Sequence, residues 1–365
     1  MASSLQLPKA MTAVQVTEFH KPYSLNTIPI PDPRNLGPHE ILVKTATAGL
    51  CHTDFMVRDG VFGATLPRTA SHEGAGTVVA IGSSIANLIP NDRVMIGIAK
   101  DACGHCASCT GPSEYTQYCP YASNIGVTVH GTFAEFVVCD GREATPIPPS
   151  IPFTTAAPLA CAGKTVWRGI IDASLQPNQT LAIVGAGGGL GHLGIQFAHV
   201  QQLKVIAIDA RDEGLELCRE ENAEIVLDAR IEHSEIINQV EKATSGKRAD
   251  ATLNLSDADS AAGLAAAVTR MHGRLVQIAQ PPRVSIPYAE LIFRDVRVSG
   301  SLLCSREQAR DMLDAVARYG IRAKTFLVEG LERVRELVEV AESGRLKGKG
   351  VVVVDGEQRE IRGRI

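Results

Sequence analysis

Apolar positions follow two different rhythms along the chain. The N-terminal part carries short strand-like runs separated by Gly, Pro, Asn and Asp, at residues 12–16, 41–47, 76–81, 93–98 and 132–138. From about residue 165, apolar runs of buried-strand length alternate with helical stretches, at residues 181–184, 204–208, 225–227, 251–255, 274–279 and 296–300. The first rhythm predicts an all-β half. The second is the βαβ rhythm of a doubly wound parallel sheet, so the predicted fold class is α/β.

Two further helices, at residues 305–319 and 331–343, and a final strand at 350–354 follow the parallel-sheet region. A chain of 365 residues suggests about two domains. With 21% charged residues and a net charge of −4, it offers no basic excess for nucleic acid. The N-terminal stretch lacks a signal-peptide core, and no apolar run is long enough to span a bilayer. We therefore expect a soluble, cytoplasmic protein without nucleic-acid or membrane partners.

A glycine cluster between an apolar strand and a helix is the best-defined chemical feature. Its members are Gly185, Gly187, Gly188, Gly189, Leu190 and Gly191. Glycines let the backbone approach a pyrophosphate closely, and the N–H groups at the following helix N-terminus favour its negative charge. The next apolar run ends in Asp209, eighteen residues past Gly191, about where an acid binds the adenosine ribose. This order predicts a dinucleotide site that favours NAD, although Arg211 leaves strict NAD use undecided.

The nine cysteines, an odd number without a secretion signal, favour metal binding over a disulfide framework. Four of them are close in sequence: Cys103, Cys106, Cys109 and Cys119. Four thiolates suit a tetrahedral zinc ion and leave it no open position, so this site would be structural. We expect the ion to fold a lobe at about residues 101–121 that is too poor in apolar residues to fold without it.

Three more candidate ligands are far apart in sequence: Cys51 in CHTD, His72 in SHEG and Cys161 in PLACAG. Taken singly, each could be a buried core cysteine or a hydrogen-bonded histidine. Together they would offer two thiolates and an imidazole, which is a catalytic zinc set with its fourth position open. Spacing alone does not decide between these alternatives, because only the fold can bring the three residues together.

Several segments around these residues match one family. They are GLCHTD at 49–54, SHEGAGTVVAIG at 71–82, the four-cysteine lobe, PLACAGKTVW at 158–167 and VGAGGGLG at 184–191. Weaker similarity continues through residues 299–308 to 349–355, in the same order over nearly the whole chain. On these segments the sequence resembles the zinc-dependent medium-chain alcohol dehydrogenases, most closely their yeast-type branch.

The resemblance implies a fold and an activity. A GroES-like, β-rich catalytic domain would comprise residues 1–164 and 309–365, and a Rossmann domain that binds NAD would comprise residues 165–308. The protein would be an NAD-dependent alcohol dehydrogenase with two zinc ions per chain, one catalytic and one structural. It would act on a small alcohol or carbonyl compound and form a dimer or tetramer. Zinc would act as a Lewis acid while the nicotinamide ring exchanges hydride with the substrate.

The resemblance also assigns roles to single residues. The catalytic zinc ligands would be Cys51, His72 and Cys161, and the four lobe cysteines would bind the structural ion. Glu73 would lie behind the catalytic metal, Asp54 would orient His72, and Thr53 would accept the proton of the substrate. The implied cofactor contacts are His52, Thr165, the glycine cluster, Asp209 and Arg306.

Three positions depart from the family's usual pattern. Met56 replaces the histidine that usually ends the proton relay, so we hypothesise that the proton passes from Thr53 through the ribose hydroxyl directly to water. Nine residues separate Cys109 from Cys119, more than is usual, so this loop must bulge. Ser71, before His72, stands where glycine is usual.

The resemblance also indicates residues of the substrate pocket. Met56, Phe62 and Trp167 occupy positions that face the substrate in relatives, which predicts a hydrophobic substrate, although Trp167 could instead belong to the core.

Two alternative functions remain open. One alternative is a zinc-free enone or quinone reductase of the same superfamily, which the zinc-type cysteines count against. The other is a catalytically idle NAD(H)-binding protein, for which Met56 is the hint.

Overall fold

The computed structural model describes residues 7–360. Residues 1–6 and 361–365 lie outside this range. They include part of the N-terminal stretch that lacks a signal-peptide pattern and both outermost ends of the predicted catalytic domain. Among the residues described, no helix combines the length and the apolarity that a membrane crossing requires.

Strands dominate the N-terminal part. They are β1 (Ala10–Val16), β2 (Ser24–Pro29), β3 (Glu40–Leu50), β4 (Arg68–Thr69), β5 (Glu73–Ile81), β6 (Arg93–Met95), β7 (Ala99–Lys100), β8 (Ser123–Asn124), β9 (Phe136–Asp140) and β10 (Thr145–Pro146). The short helices α1 (His52–Arg58) and α2 (Ala107–Thr110) lie between them. Each of the five predicted runs overlaps one of these strands, because short runs rich in apolar and β-branched residues are bounded by turn residues.

A buried helical run then leads into the second half. It consists of α3 (Phe153–Pro158), a π-helical turn at Leu159–Gly163 and α4 (Lys164–Ala173). At its start the run packs against β3 and β5, and at its end it packs against the parallel sheet that follows in the chain. The run therefore connects the cores of the two halves.

The second half forms a six-stranded parallel sheet with helices between its strands. Its elements are β11 (Thr180–Val184), α5 (Gly191–Val200), β12 (Lys204–Asp209), α6 (Asp212–Glu220), β13 (Ile225–Asp228), α7 (His233–Ala243), β14 (Ala249–Asn254), α8 (Ala261–Val268), β15 (Thr269–Gln277), α9 (Tyr288–Ile292) and β16 (Arg297–Gly300). The strand order is β13-β12-β11-β14-β15-β16, which changes direction between β11 and β14. Ligands bind at the carboxyl ends of the strands around such a change of direction. The doubly wound prediction is confirmed.

The C-terminal part returns to the first half. It comprises α10 (Arg306–Tyr319), β17 (Thr325–Glu329), α11 (Val334–Glu342) and β18 (Lys349–Val353). Strand β18 pairs antiparallel with β3 and parallel with β17, in a sheet ordered β10-β6-β5-β3-β18-β17 in which β9 also pairs with β3. The predicted helices and final strand are present, whereas β17 was not predicted. This return places β18 against the end of β3, where the candidate ligand Cys51 follows.

Candidate metal and cofactor site

Cys51 lies where β3 ends and α1 begins, and Asp54 holds it there. The backbone N–H of Cys51 donates to Asp54 Oδ2 over 2.8 Å, as in one half of a capping box. The other oxygen, Oδ1, accepts the N–H of Ser71 over 2.8 Å. One buried carboxylate thus ties together the two segments that carry Cys51 and His72. Asp54 Oδ1 is 3.9 Å from His72 Nδ1, which is close but longer than a hydrogen bond.

The other candidate ligands come from two further elements. His72 follows Ser71, whose φ of 69° is left-handed, and β5 begins at Glu73. Both His72 and Glu73 are buried. Cys161 lies in the π-helical turn between α3 and α4, a rare backbone form that is frequent at functional sites.

The fold brings these separate residues to one point. Donor atoms of Cys51, His72, Glu73 and Cys161 all lie within 4.8 Å of one another. The structure therefore favours the convergent alternative that spacing alone left open. Thr53 stands beside this cluster, with its Oγ1 3.9 Å from Cys51 Sγ.

Two unpaired atoms show that the cluster is suited to a cation. His72 Nδ1 and Glu73 Oε2 are buried and have no hydrogen-bond partner among the described residues. Buried polar atoms are normally hydrogen-bonded, so an unpaired nitrogen and an unpaired carboxylate oxygen beside two sulfurs call for another partner. Two sulfurs and one imidazole are the donor set that zinc accepts in catalytic sites.

Lys349 is a site residue that the sequence analysis missed. Its buried ammonium donates to Glu73 Oε1 over 2.7 Å and to the carbonyl of Leu50 over 2.8 Å. It reaches this point because β18 pairs Gly350 with Leu50, the residue before Cys51. The sequence carries one signal for it: a single basic residue begins a strand whose other residues are apolar. Such a lysine should be buried, and buried lysines are rare unless they are paired.

These charges shift the ionisation of the cluster. A hydrogen bond with Cys161 lowers the pKa of Cys51 well below its usual value, and Lys349 acts in the same direction. Burial favours the neutral imidazole of His72, yet the negative groups around it together raise its pKa to about 9. Burial also raises the pKa of Glu73 to about 8, against the opposing effect of Lys349. The cluster therefore stabilises a thiolate at Cys51, the form that binds metal.

The four lobe cysteines also converge. Cys109 Sγ lies 4.0 Å from Cys103 Sγ and 3.6 Å from Cys106 Sγ, and all four sulfurs lie within 4.8 Å of one another. A tetrahedral zinc ion with Zn–S bonds of about 2.3 Å separates its sulfurs by about 3.8 Å. The backbone N–H of Cys106 donates to Cys103 Sγ, and that of Cys103 to Cys119 Sγ. This geometry fits a closed structural site.

The glycine cluster forms a tight turn at the carboxyl end of β11. Gly185 has a φ of +83°, a conformation that side chains disfavour. A Cβ on Gly187 would lie 2.2 Å from the Cα of Gly214 in α6, so a side chain there would push this helix off the turn. Helix α5 begins at Gly191 and presents its N-terminus to the turn. The turn is therefore shaped to let a pyrophosphate approach the backbone.

Asp209 and Arg211 lie beside this turn, but Arg211 is bound by the protein itself. Asp209 Oδ2 accepts the N–H of Gly187 over 2.8 Å. Arg211 Nη2 donates to the carbonyl of Gly187 over 3.0 Å, and Nη1 donates to the carbonyls of Gly344 and Leu346 over 3.3 Å each. These contacts hold the guanidinium against the backbone and count against a role for it in binding an extra phosphate.

The other predicted cofactor residues lie on three separate helices, α1, α4 and α10. His52 is exposed, and its Nε2 lies 4.0 Å from Asp257 Oδ2, just beyond β14. Thr165 is buried in α4. The guanidinium of Arg306 contacts Glu114 over 2.6 Å and Glu143 over 3.8 Å. The predicted contact of Arg306 with the pyrophosphate stays a prediction.

The three predicted pocket residues differ in their surroundings. Met56 is half-buried in α1, and Phe62 is 42% exposed. Trp167 is only 8% exposed and packs edge-on against Phe197, with ring centroids 5.0 Å apart. This packing favours the core alternative for Trp167. For Met56 and Phe62 the substrate contact stays a prediction.

Comparisons with known proteins agree with this geometry. The model of the alcohol dehydrogenase GroES-like domain matches residues 37–149, and that of the zinc-binding dehydrogenase matches residues 189–318. Alcohol dehydrogenase 1 of Emericella nidulans is 32% identical over 353 residues, which cover 95% of this chain and 99% of that protein. The chain belongs to the zinc-type medium-chain alcohol dehydrogenase family.

Solved structures of alcohol dehydrogenases share the fold. The enzyme of the hyperthermophilic archaeon Aeropyrum pernix superposes with a TM-score of 0.85 at 26% identity, covering 94% of this chain and 99% of that one. An NAD-dependent alcohol dehydrogenase superposes with a TM-score of 0.86 at 26% identity, covering 94% and 100%. Both the predicted family and its combination of a GroES-like domain with a Rossmann domain are confirmed. The yeast-type branch stays a prediction.

Proposed function

We propose that this alcohol dehydrogenase family member transfers hydride between NAD(H) and an alcohol or the corresponding aldehyde or ketone, with one catalytic and one structural zinc ion per chain. The observation that carries the proposal is the convergence of Cys51, His72 and Cys161 from three separate elements. The resemblance to a solved NAD-dependent alcohol dehydrogenase supports the choice of cofactor. A Rossmann fold alone would support only nucleotide binding.

Each residue of the cluster has a task in this proposal. Cys51, His72 and Cys161 would hold the catalytic zinc ion, which supplies a Lewis acid for the substrate oxygen when bound. Thr53 would receive the alcohol proton on its Oγ1, and Asp54 would keep the ligand-bearing segments in register. Lys349 compensates the negative charge of Glu73 and the thiolates, since buried charge without a partner is strongly destabilising.

The cofactor would lie along the carboxyl edge of the parallel sheet. The N–H groups at the start of α5 would bind its pyrophosphate, and Asp209 would accept its ribose hydroxyls. We propose NAD over NADP because a carboxylate repels the extra phosphate and Arg211 is engaged by backbone carbonyls. His52, Thr165 and Arg306 remain proposed cofactor contacts, and the limits at residues 164 and 308 remain proposed domain boundaries.

We propose a small hydrophobic substrate, because Met56 and Phe62 would line its pocket. Met56 cannot carry a proton, so the path from Thr53 would lead through the ribose hydroxyl directly to water. The variant Met56→His tests this hypothesis, and it is expected to change the pH profile of the steady-state rates. A positioned acid–base group is worth roughly 10²–10⁴-fold at most, so the wild type should still turn over. An unchanged pH profile would argue for a relay elsewhere.

We also propose that the protein is a homo-oligomer, with two-fold pairing at the edge strand β16. All four residues of β16, including Val298, are exposed, and so are apolar side chains in the preceding β15 and in α9 and its C-terminal cap: Met271, Tyr288, Ile292 and Phe293. Unpaired edge strands with apolar surroundings readily pair with another strand. The partner strand would be β16 of a second copy of this chain, related by a two-fold axis. Such an arrangement pairs the two edges with each other and requires no other protein.

Metal analysis combined with an NADH-consumption assay tests the proposed function. We expect near two zinc ions per chain and turnover on a panel of hydrophobic aldehydes and ketones. Cys51→Ser is expected to lose about one zinc ion and at least roughly 10²–10³-fold in rate, as when one charge-stabilising group is removed. Cys139→Ser is the matched control, because Cys139 is buried in a separate apolar core.

The same measurements separate the alternatives. Turnover without zinc would favour a zinc-free reductase. Two zinc ions without turnover on any carbonyl compound would favour a non-catalytic NAD(H)-binding protein.

A further inference from the structure

The long loop between the third and fourth lobe cysteines reaches across to the other half of the molecule. Within it, Gln117 Nε2 donates to the carbonyls of Leu302 and Leu303 over 3.0 and 3.1 Å. Glu114 pairs with Arg306 over 2.6 Å. The loop therefore does not simply bulge into solvent. It forms a bridge, which we call the lobe strap (residues 110–118).

Arg168 is the centre of this bridge. Its buried guanidinium lies 4.0 Å from the ring centre of Tyr115 and 5.3 Å from that of Tyr118, both in the lobe strap. Its Nη1 is 3.2 Å from Tyr118 Oη and donates to the carbonyls of Leu302 and Leu303 over 3.0 and 3.3 Å. Cation–π contacts and charge-assisted hydrogen bonds are both stronger when buried, so this is a fixed junction.

Arg168 also belongs to the helix that carries a candidate catalytic ligand. Cys161 lies in the π-helical turn that runs without a break into α4, and Arg168 lies in α4. One side chain therefore joins the helix of the catalytic cluster, the strap of the four-cysteine lobe and the segment at Leu302–303.

The segment held in this way lies at the ligand-binding edge of the sheet. Residues 301–305 follow the carboxyl end of β16, just as the glycine turn follows β11 and Asp209 ends β12. In the proposed cofactor site, the adenosine part of the dinucleotide lies at the ends of β11 and β12. The nicotinamide part would then lie at the ends of the strands on the other side of the sheet, β14, β15 and β16. Leu303 has a φ of 49°, a left-handed conformation that leucine rarely adopts. Gln117 and Arg168 both donate to the carbonyls of Leu302 and Leu303, the one before and the one after the Cα of Leu303, and so hold this backbone conformation in place.

We propose that Arg168 is a positioning residue for cofactor binding, which acts by fixing the backbone at Leu302–303 together with the lobe strap. The four-cysteine lobe then contributes to cofactor affinity at a distance, although none of its cysteines is among the proposed cofactor contacts. This inference rests on the proposed NAD(H) binding. It predicts that loosening the junction weakens NAD(H) binding more than it slows the chemical step.

NADH fluorescence titration and steady-state kinetics of Arg168→Lys test the proposal. Lysine keeps the charge but loses the planar fork that binds the carbonyls and covers the tyrosine rings. We expect the Kd for NADH and the KM for NAD to rise on the order of tenfold, with kcat and zinc content nearly unchanged, because charge-assisted hydrogen bonds are lost. Tyr118→Phe, which removes only the hydroxyl beside Arg168, should raise both constants by roughly twofold to fivefold.

Two controls separate positioning from general stability. Arg93 offers the same chemistry inside the catalytic domain, since it lies 4.3 Å from the ring centre of Phe153 and donates to the carbonyl of Ile151 over 2.7 Å. Arg93→Lys should lower stability without changing the Kd for NADH. Tyr121→Phe, on the exposed face of the lobe, should change nothing.

The outcomes distinguish this inference from the proposed function. An unchanged Kd in both Arg168→Lys and Tyr118→Phe, or an equal rise in Arg93→Lys, would overturn the inference. If Arg168→Lys does not fold, Tyr118→Phe measured against Tyr121→Phe decides. A wild-type protein that binds no NADH would instead overturn the proposed function.

Discussion

Ser71 shows how one residue can occupy a backbone position that favours glycine. Its left-handed φ directly precedes His72, which accounts for the family's usual glycine there. The hydroxyl offsets the strain through buried hydrogen bonds. It donates to the carbonyl of Gly49 over 2.7 Å and accepts from Thr132 Oγ1 over 2.8 Å. A position that departs from the family pattern is therefore locally compensated.

Ser71→Ala and Ser71→Gly separate these two effects. Alanine keeps the left-handed strain and loses the hydroxyl, so we expect the free energy of unfolding to fall by roughly 2–3 kcal/mol. The glycine variant also loses the hydroxyl but relieves the strain, so its free energy of unfolding should be about 1 kcal/mol higher than that of the alanine variant. Denaturant unfolding of both variants measures the difference. An alanine variant as stable as the glycine variant would contradict this account.

At the scale of elements, α5 is tied to the chain segment that precedes β17. The backbone N–H of Lys324 donates to His192 Nε2 over 3.1 Å, while His192 Nδ1 lies 3.1 Å from the carbonyl of Gly188. This pattern requires a neutral imidazole with its proton on Nδ1. Gln196, one turn further along α5, adds a hydrogen bond to the carbonyl of Arg322 over 2.9 Å. The helix that starts at the glycine turn is thereby fixed to the chain segment that leads into β17.

The protonation of His192 should make this contact pH-dependent. Burial lowers the pKa of His192 from its ordinary 6.5 to about 4. The folded state therefore binds this proton more weakly than the unfolded state does. The stability that the neutral ring contributes is full above pH 6.5 and is lost as the pH falls through 4. The expected loss over this window is about 3 kcal/mol.

Denaturant unfolding at pH 7, 5.5 and 4 measures this effect in the wild type and in His192→Gln. The wild type should lose stability more steeply than the variant as the pH falls, so their difference should shrink or reverse. His233→Gln, at an exposed histidine, is the control and should follow the wild type. Parallel curves for the wild type and His192→Gln would exclude His192 as the cause.

The two halves of the molecule share one buried core. Apolar residues of the sheet that contains β3, such as Ala75 and Met95, belong to the same cluster as Leu181 and Leu253 of the parallel sheet. A continuous core restricts movement between the halves. At the far edge of the parallel sheet, β16 leaves its pairing groups and Val298 exposed.

The proposed two-fold pairing can be tested at that edge. Val298→Lys introduces a charge that should repel its symmetry mate, so sedimentation should show a mass about half that of the wild-type oligomer. Ile89→Lys, at an apolar residue of the other half that is even more exposed than Val298, should leave the mass unchanged. A Val298→Lys protein with the wild-type mass would place the interface elsewhere.

The sequence by itself determined the features that depend on neighbouring residues. The six parallel strands, the glycine turn and the close set of four cysteines each appear as a local pattern, because strand alternation, turn geometry and short ligand spacing are set within a few residues. The family resemblance then supplied expectations for the distant ligands. It could not show whether Trp167 faces the substrate or the core.

Only the tertiary structure decided what depends on long-range packing. Cys51, His72 and Cys161 meet because β3, β5 and the π-helical turn pack together, and Lys349 joins them through the register of β18 on β3. The lobe strap reaches Arg168 only once the two halves have packed. No periodicity encodes such contacts, since sheet register and domain packing are collective properties of residues that are far apart in the chain.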